Sequence, residues 1–284
     1  GGMMHLLNDG THLPPIGFGT YPLRGPSGVA AMVSAIETGY RLIDSAVNYE
    51  NEAEVGQAVR ACGMPREDLI VTTKVPGRFH DQAVACIEES LKTTGLEVLD
   101  LVLIHWPNPS QGRFVQAWEG LIQARERGLV RSIGVSNFTE AHLREVIAAT
   151  GVTPAVNQIE LHPSFIQASM RVVHQQLGIV TQSWSPLGKA QAQYDAPAVA
   201  EAAIAHGVSP AQVIVRWHLE LGCLPLPKSA DPGRQRENLS IFDFALTSQE
   251  VAAISALDRP DGRLDGRDGR QRRYVRCAHR RLGK

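Results

Sequence analysis

Short apolar runs rich in β-branched residues recur along the chain, and each is followed by a longer stretch whose apolar positions repeat at helical spacing. The runs predict eight strands, at residues 16–20, 42–46, 69–75, 100–106, 132–136, 155–160, 179–184 and 224–227. Between them the helical period covers 27–38, 51–62, 82–93, 114–127, 140–149, 169–177, 196–205 and 210–221, with two further helices after the last strand at 234–238 and 249–257. Several boundaries carry their own chemistry. Thr139 opens one helix, Ser209 stands as N-cap ahead of Pro210, and Gly39, Gly63, Gly95, Gly128, Gly151, Gly178 and Gly222 close seven others. Strands joined by helical crossovers run parallel, so the pattern predicts an α/β fold, a closed (β/α)8 barrel over residues 3–260 with C-terminal helices. A doubly wound open sheet is the alternative. Residues 6–13, centred on Asp9-Gly10, read as a β-hairpin that plugs one mouth.

Composition narrows the class without changing the architecture. With 284 residues, 43% hydrophobic and 20% charged, the chain has a globular profile rather than a disordered or fibrous one. No apolar run approaches the ~18 residues of a membrane helix, because the best stretch, 99–106, is interrupted by Asp100 and His105. Gly1 and Gly2 ahead of Met3 read as an expression remnant, and the N-terminal segment has no basic stretch leading into an apolar core, so it does not read as a signal peptide. Cys62, Cys86, Cys223 and Cys277 are scattered without metal-ligand spacing, which fits a reducing, cytoplasmic setting. The formal charge of −1 hides an asymmetry. Residues 263–284 hold nine Lys or Arg against two Asp, a net +7, leaving 19 against 27, or −8, elsewhere. Such a basic tail, residues 261–284, can touch nucleic acid or anionic lipid, but its Gly- and Arg-rich composition is more simply a solvated end. No nucleic-acid or membrane partner is expected.

In such a barrel the chemistry sits at the C-terminal ends of the strands. The second predicted strand offers Asp44 there, with Tyr49 in the loop beyond; the third offers Lys74, the fourth His105-Trp106, the fifth Ser136-Asn137, the sixth Gln158, and the eighth leads into Lys228-Ser229. Singly, each has a structural explanation: a loop cap, a rim aromatic, a solvated end, a core histidine. Together they set an ion pair beside a phenol and an imidazole. A lysine near the phenol is expected to pull its pKa below the ordinary ~10, and Asp44 to keep that lysine charged. A neutral His105 would help polarise a carbonyl. The ten histidines contain no His-x-His, and no nucleophile elbow or carboxylate cluster is present. Protonating a carbonyl oxygen with nothing to attack its carbon implies an external reductant, and hydride from a nicotinamide fits although Gly-x-Gly-x-x-Gly is absent.

Six ordered motifs between Gly17 and Phe244 resemble the aldo-keto reductases: the run from Leu42 to Glu52, Thr73-Lys74-Val75, Leu103-Ile104-His105-Trp106-Pro107, Gly134-Val135-Ser136-Asn137-Phe138, Asn157-Gln158-Ile159-Glu160 and Pro227-Lys228-Ser229. The bacterial branch that includes 2,5-diketo-gluconate reductases is the nearest in pattern. The resemblance implies a catalytic tetrad of Asp44, Tyr49, Lys74 and His105, with NADPH across the barrel mouth. It places Gly19, Thr20 and Asp44 against the cofactor, the carboxamide on Ser136, Asn137 and Gln158, and the nicotinamide ring on Trp184. Ser185, Leu187 and Gly188 would follow the pyrophosphate, Lys228, Ser229 and Arg234 would hold the 2′-phosphate, and Glu237 and Asn238 the adenine. Two cations and a hydroxyl suit a phosphate dianion, which favours NADPH over NADH.

Four features depart from the family pattern, and the largest is residues 261–284, an arginine-rich sequence where relatives fold their C-terminal segment over the substrate. Ser45 replaces a more frequent threonine; Trp184 stands where tyrosine is common; and the segment 75–80 lacks the tryptophan many relatives carry, so Phe79 is expected to line the pocket with Tyr21, His105 and Trp106. Trp118 and Trp217, on helices, are expected in the core. The chain therefore reads as a carbonyl reductase whose own substrate the motifs do not name: a monomeric, metal-free, NADPH-dependent enzyme acting on small aldehydes or ketones, with Tyr49 as proton donor. The alternative is an NADPH-binding regulatory or structural barrel with little turnover, against which an intact tetrad argues. A metal-dependent barrel hydrolase would need a ligand set that the sequence does not offer.

Overall fold

Residues 3–264 are described in the computed structural model, beginning with an antiparallel hairpin of β1 (His5–Leu6) and β2 (His12–Leu13). Leu7 and Leu13 on this hairpin are buried with Leu42, Leu101, Leu103, Val156 and Leu224, which fill the barrel interior. Asn8 Nδ2 donates to the carbonyls of Thr153, Pro154 and Gly178, just ahead of two strands, so the hairpin closes the N-terminal mouth as expected.

Eight parallel strands make up the barrel: β3 (Phe18–Gly19), β4 (Leu42–Asp44), β5 (Ile70–Val75), β6 (Leu99–Ile104), β7 (Val130–Ser136), β8 (Val156–Glu160), β9 (Val180–Trp184) and β10 (Leu224–Pro225). They are ordered in space as in sequence. The sheet closes on itself: Gly17 N–H donates to Pro225 O and Gly19 N–H to Pro227 O, each at 3.0 Å. A closed sheet has no edge to protect, and strands covered on both faces read as continuous apolar runs. The sequence Leu-Asp-Leu-Val-Leu-Ile of β6, buried throughout, is the clearest case.

The crossovers are α1 (Gly25–Thr38), α2 (Glu52–Ala61), α3 (Ala83–Thr94), α4 (Phe114–Glu126), α5 (Glu140–Thr150) and α6 (Ala168–Leu177), followed by α7 (Pro197–His206) and α8 (Pro210–Glu220) between the last two strands. After β10 come α9 (Pro232–Leu239) and α10 (Ser248–Ser255). Thr139 and Ser209 each form a reciprocal capping box with the third helical residue. Helix α9 starts two residues ahead of expectation because Asp231 accepts from Gly233 N–H and Pro232 is pre-set for the first turn. Trp118 and Trp217 are fully buried. Cys62, Cys86 and Cys223 are buried free thiols.

The chain stays on the barrel beyond Pro260. Leu264 N–H donates to Glu160 Oε2 at 2.9 Å, and Arg259 N–H to Ser164 O at 3.1 Å. At Gly262 the backbone lies so close to Ser164 O that a Cβ would sit 1.6 Å from it, so only glycine passes there. The remainder of the expected basic tail, 265–284, and Cys277 lie outside the described residues. No single helix among the described residues is long and apolar enough to cross a membrane.

Candidate active site

Asp44 ends β4 pointing into the barrel, and a 3-10 turn at Val47–Tyr49 carries Tyr49 back over it. Asn51, wholly buried, fixes this return: it accepts from Ser45 Oγ and donates through Nδ2 to Thr20 Oγ1 at 2.9 Å and Leu23 O at 3.1 Å. Thr20 Oγ1 in turn donates to Asp44 O at 2.8 Å. Lys74 enters from β5 beneath the phenol, with no exposed surface. Its Nζ donates to Asp44 Oδ2 at 2.7 Å, Ser45 O at 2.9 Å and Tyr49 OH at 3.1 Å. All three ammonium hydrogens are therefore used. Because an ammonium only donates, the Tyr49 oxygen accepts, and its own hydrogen is left to face the cleft.

His105 follows β6, anchored by its N–H to Val75 O at 2.9 Å, and its ring meets that of Tyr49 edge-on at 5.7 Å. Its Nδ1 is buried without a partner. Burial, reinforced by the charges of Lys74 and Arg78, holds the imidazole pKa well below its ordinary value, so the ring is neutral at physiological pH.

The phenol departs from expectation. Burial raises the Tyr49 pKa above its ordinary value; Lys74 pulls it down, but Asp44 pushes it up again, and the balance stays high. Desolvation of the anion, which cannot be read from spacing, outweighs the cation. For Lys74, burial works against the charge, yet Asp44 and Tyr49 together hold its pKa above the ordinary ammonium value. At neutral pH the site holds a protonated phenol against a charged ammonium.

Gln158 on β8 donates through Nε2 to Asp44 Oδ1 and to Gln182 Oε1, both at 2.9 Å. Ser136 Oγ donates to Gln158 O at 2.7 Å, and Asn137 Nδ2 to His105 O at 3.0 Å. Trp184 Nε1 donates to Asn137 Oδ1 at 2.9 Å, a bond that a tyrosine ring could not make in the same way. The donors of both amides are thus spent within the protein, and what they keep for a ligand is acceptor capacity.

Every sequence-predicted cofactor residue, from Gly19 and Thr20 through Ser136, Asn137, Gln158, Trp184, Ser185, Leu187 and Gly188 to Lys228, Ser229, Arg234, Glu237 and Asn238, lines one cleft of about 940 Å3. Asp44, Tyr49, His105, Tyr21 and Trp106 line it too; Lys74 lies behind them. Phe79 does not. The 3-10 turn Gly77–Phe79 packs its ring against the hydrophobic core beneath Arg78, whose guanidinium lies 4.8 Å from the ring centroid, so the expected pocket role is corrected. Asn48, Lys189 and Tyr194 line the cleft without having been marked by the sequence, since turns and long loops leave no periodic signal. Among the described residues no group of three or more His, Cys, Asp or Glu could hold a metal ion.

Comparison with known proteins gives the same picture from an independent side. The model of the aldo/keto reductase family matches residues 15–259. A 2,5-diketo-D-gluconic acid reductase B from Corynebacterium sp. (strain SHS752001) is 58% identical over 260 residues, covering 91% of this chain and 93% of that one. Among solved structures, a variant of Gox0644 in complex with NADPH superposes with a TM-score of 0.87 at 39% identity, covering 92% of this chain and 95% of that one. A Bombyx mori aldo-keto reductase in complex with NADP gives 0.84 at 35% identity, covering 90% and 92%. The parallel barrel, the buried Asp44–Lys74 pair under Tyr49 and these matches along nearly the whole chain lead to one assignment: the protein is a member of the aldo/keto reductase family.

Proposed function

We propose that the protein reduces aldehydes and ketones with NADPH, Tyr49 protonating the carbonyl oxygen. The observation that carries this reading is the Lys74–Tyr49 contact of 3.1 Å, which leaves a protonated phenol with its hydrogen free toward the cleft. When bound, the cofactor supplies hydride to the carbonyl carbon.

The residues present fit such a cofactor. Gln158 Oε1 and the second lone pair of Asn137 Oδ1 can accept from a carboxamide NH2, and Trp184 offers an aromatic face. At Gly19 a Cβ would meet Leu226 O at 2.9 Å, so the wall stays bare backbone there. Lys228 has no ion-pair partner among the described residues, and the nearest carboxylate to Arg234, on Asp231, is 4.0 Å away, so both cations have charge to offer a phosphate. Two cations favour the phosphorylated dinucleotide over its parent.

The chain's own part is to bind, orient and transfer one proton. A neutral His105 has a single ring proton; placing it on Nε2 gives a donor for the substrate oxygen and leaves the buried Nδ1 a lone pair rather than an orphan N–H. As negative charge grows on that oxygen, Tyr49 gives up its proton, and the ammonium of Lys74 compensates the phenolate left behind. Asp44 keeps Lys74 charged and in place. Tyr49→Phe tests the assignment: turnover of an ordinary aldehyde should fall by about 10²–10⁴ while NADPH binding, read by fluorescence titration, is nearly unchanged. Retained turnover would remove Tyr49 from this role.

A further inference from the structure

Asn48 precedes Tyr49 in the same 3-10 turn, and both line the cleft. Its carboxamide is oriented from behind the wall, where Arg78 Nη1 donates to Asn48 Oδ1 at 2.5 Å. A guanidinium has donors only, so the amide oxygen must be the atom that faces it. The planar amide then turns Nδ2 away from Arg78. Among the described residues no acceptor takes the two Nδ2 hydrogens, and this nitrogen is not one of the buried unpartnered atoms, so it is open to solvent. Arg78 does not line the cleft; its guanidinium rests over the Phe79 ring.

From this arrangement we propose that Asn48 is a specificity-determining residue, donating an N–H bond to a second oxygen of the substrate close to the carbonyl that Tyr49 protonates, with Arg78 as the positioning residue that aims it. The proposal rests on the reading of Tyr49 as proton donor. Because residues 48 and 49 line the same cleft, their two donors suit a substrate that carries a second oxygen besides the carbonyl. The other walls near Tyr49 are the aromatic faces of Tyr21, 5.2 Å from the Tyr49 ring centroid, and Trp106. Those ring faces cover carbon, whereas Asn48 Nδ2 is an amide donor held in place by Arg78. An alkyl aldehyde would strip water from that NH2 and return nothing, whereas a hydroxylated aldehyde or a dicarbonyl compound would replace the lost bond. The favoured class is therefore oxygenated carbonyl compounds.

The experiment measures NADPH-dependent kcat/KM of the full chain for glyceraldehyde and for propanal, which differ by two hydroxyl groups. Asn48→Leu should lower the glyceraldehyde-to-propanal ratio about tenfold, chiefly through KM, the fold-change of one lost hydrogen bond. Arg78→Met should lower the same ratio about threefold, and the double variant no further than Asn48→Leu alone, because Arg78 acts through Asn48. Should Asn48→Leu not fold, Asn48→Ala reads the same ratio. An unchanged ratio, or equal losses for both aldehydes, in an active enzyme overturns the proposal alone. A wild-type chain that oxidises NADPH with neither compound overturns the reading of the site, and this proposal with it.

Discussion

Lys74 is wholly buried, with each ammonium hydrogen on a protein acceptor, whereas Arg234 on the same cleft is 76% exposed and 4.0 Å from its nearest carboxylate. The first cation cannot move without breaking three bonds; the second is free to follow a ligand. A group that stabilises charge appearing for an instant must already be in place, because reorganisation at that moment adds to the barrier. A group that only has to hold a permanent phosphate can wait in water and gain its bonds on binding. On the proposed function, chemistry and affinity are separated within one cleft, and they should fail separately.

The sharpest way to break the first region is Lys74→Met. Removing the ammonium takes away both a hydrogen bond to Tyr49 and the lysine charge beside the forming phenolate, so kcat should fall about a thousandfold. Asp44 would be left buried without its partner, so the fold should also lose about 3–5 kcal/mol. The double variant Asp44→Asn/Lys74→Met separates the two effects: thermal unfolding should recover much of the stability, while turnover stays low. The pH profile is a second reading of the same region. With Tyr49 held above and His105 well below their ordinary values, neither titrates near neutrality, and kcat/KM for reduction should be flat from about pH 6 to 8. A wild-type profile with a limb near 7 would contradict the burial that sets both groups.

The second region should respond in KM and Kd. Lys228→Ala/Arg234→Ala should weaken NADPH binding about a hundredfold, leave NADH binding nearly as it was, and change kcat little. Because these side chains are solvent-exposed, the wild-type preference for NADPH should itself shrink as salt rises from about 0.05 to 0.5 M. Isothermal titration with both dinucleotides at two salt concentrations checks it; equal losses for the two would place the cations elsewhere than on the phosphate.

How much of this could be read from the sequence obeys the same division. Periodicity located all eight strands because the helices cover one face of each and the barrel interior the other, and that leaves unbroken apolar runs. The first and last strands are shorter than expected for a local reason. Pro225 and Pro227 have no N–H and enter the ladder only through their carbonyls, which Gly17 and Gly19 use to close the barrel. The grouping of Asp44, Tyr49, Lys74 and His105 was legible because each sits at or just past a strand end, where motif and position coincide. What escaped depends on three-dimensional neighbours: the ring of Phe79 turned away by a 3-10 turn, the Asn137 oxygen engaged by Trp184, and the direction of the Tyr49 pKa, which burial decides. Spacing brings Lys74 and Tyr49 together but says nothing of the water excluded around them.

The smallest effect concerns the frame that joins the two regions. His218 on α8 is wholly buried; its Nε2–H donates to Pro186 O at 2.8 Å, and its Nδ1 accepts from Ser183 Oγ at 3.0 Å, tying the helix to β9 and to the loop that lines the cleft. A carbonyl can only accept, so this pair of contacts fixes the neutral tautomer. Burial first, with the nearby charges of His162 and Arg171, lowers the imidazole from 6.5 to about 3, despite the opposing bond to Pro186 O. The folded state therefore refuses a proton that the unfolded state takes below pH 6.5, and stability is lost as pH falls from 6.5 toward 3. By about pH 5 this one group should cost about 2 kcal/mol. His218→Gln keeps a donor and an acceptor but no titrating ring. Between about pH 7.5 and 5, urea unfolding should show the wild type losing about 2 kcal/mol more than the variant, while His80 and His174, lowered to about 4, act alike in both. Equal losses would mean that His218 already carries its proton in the folded barrel, and that the contact from α8 to the cleft loop is made by an imidazolium.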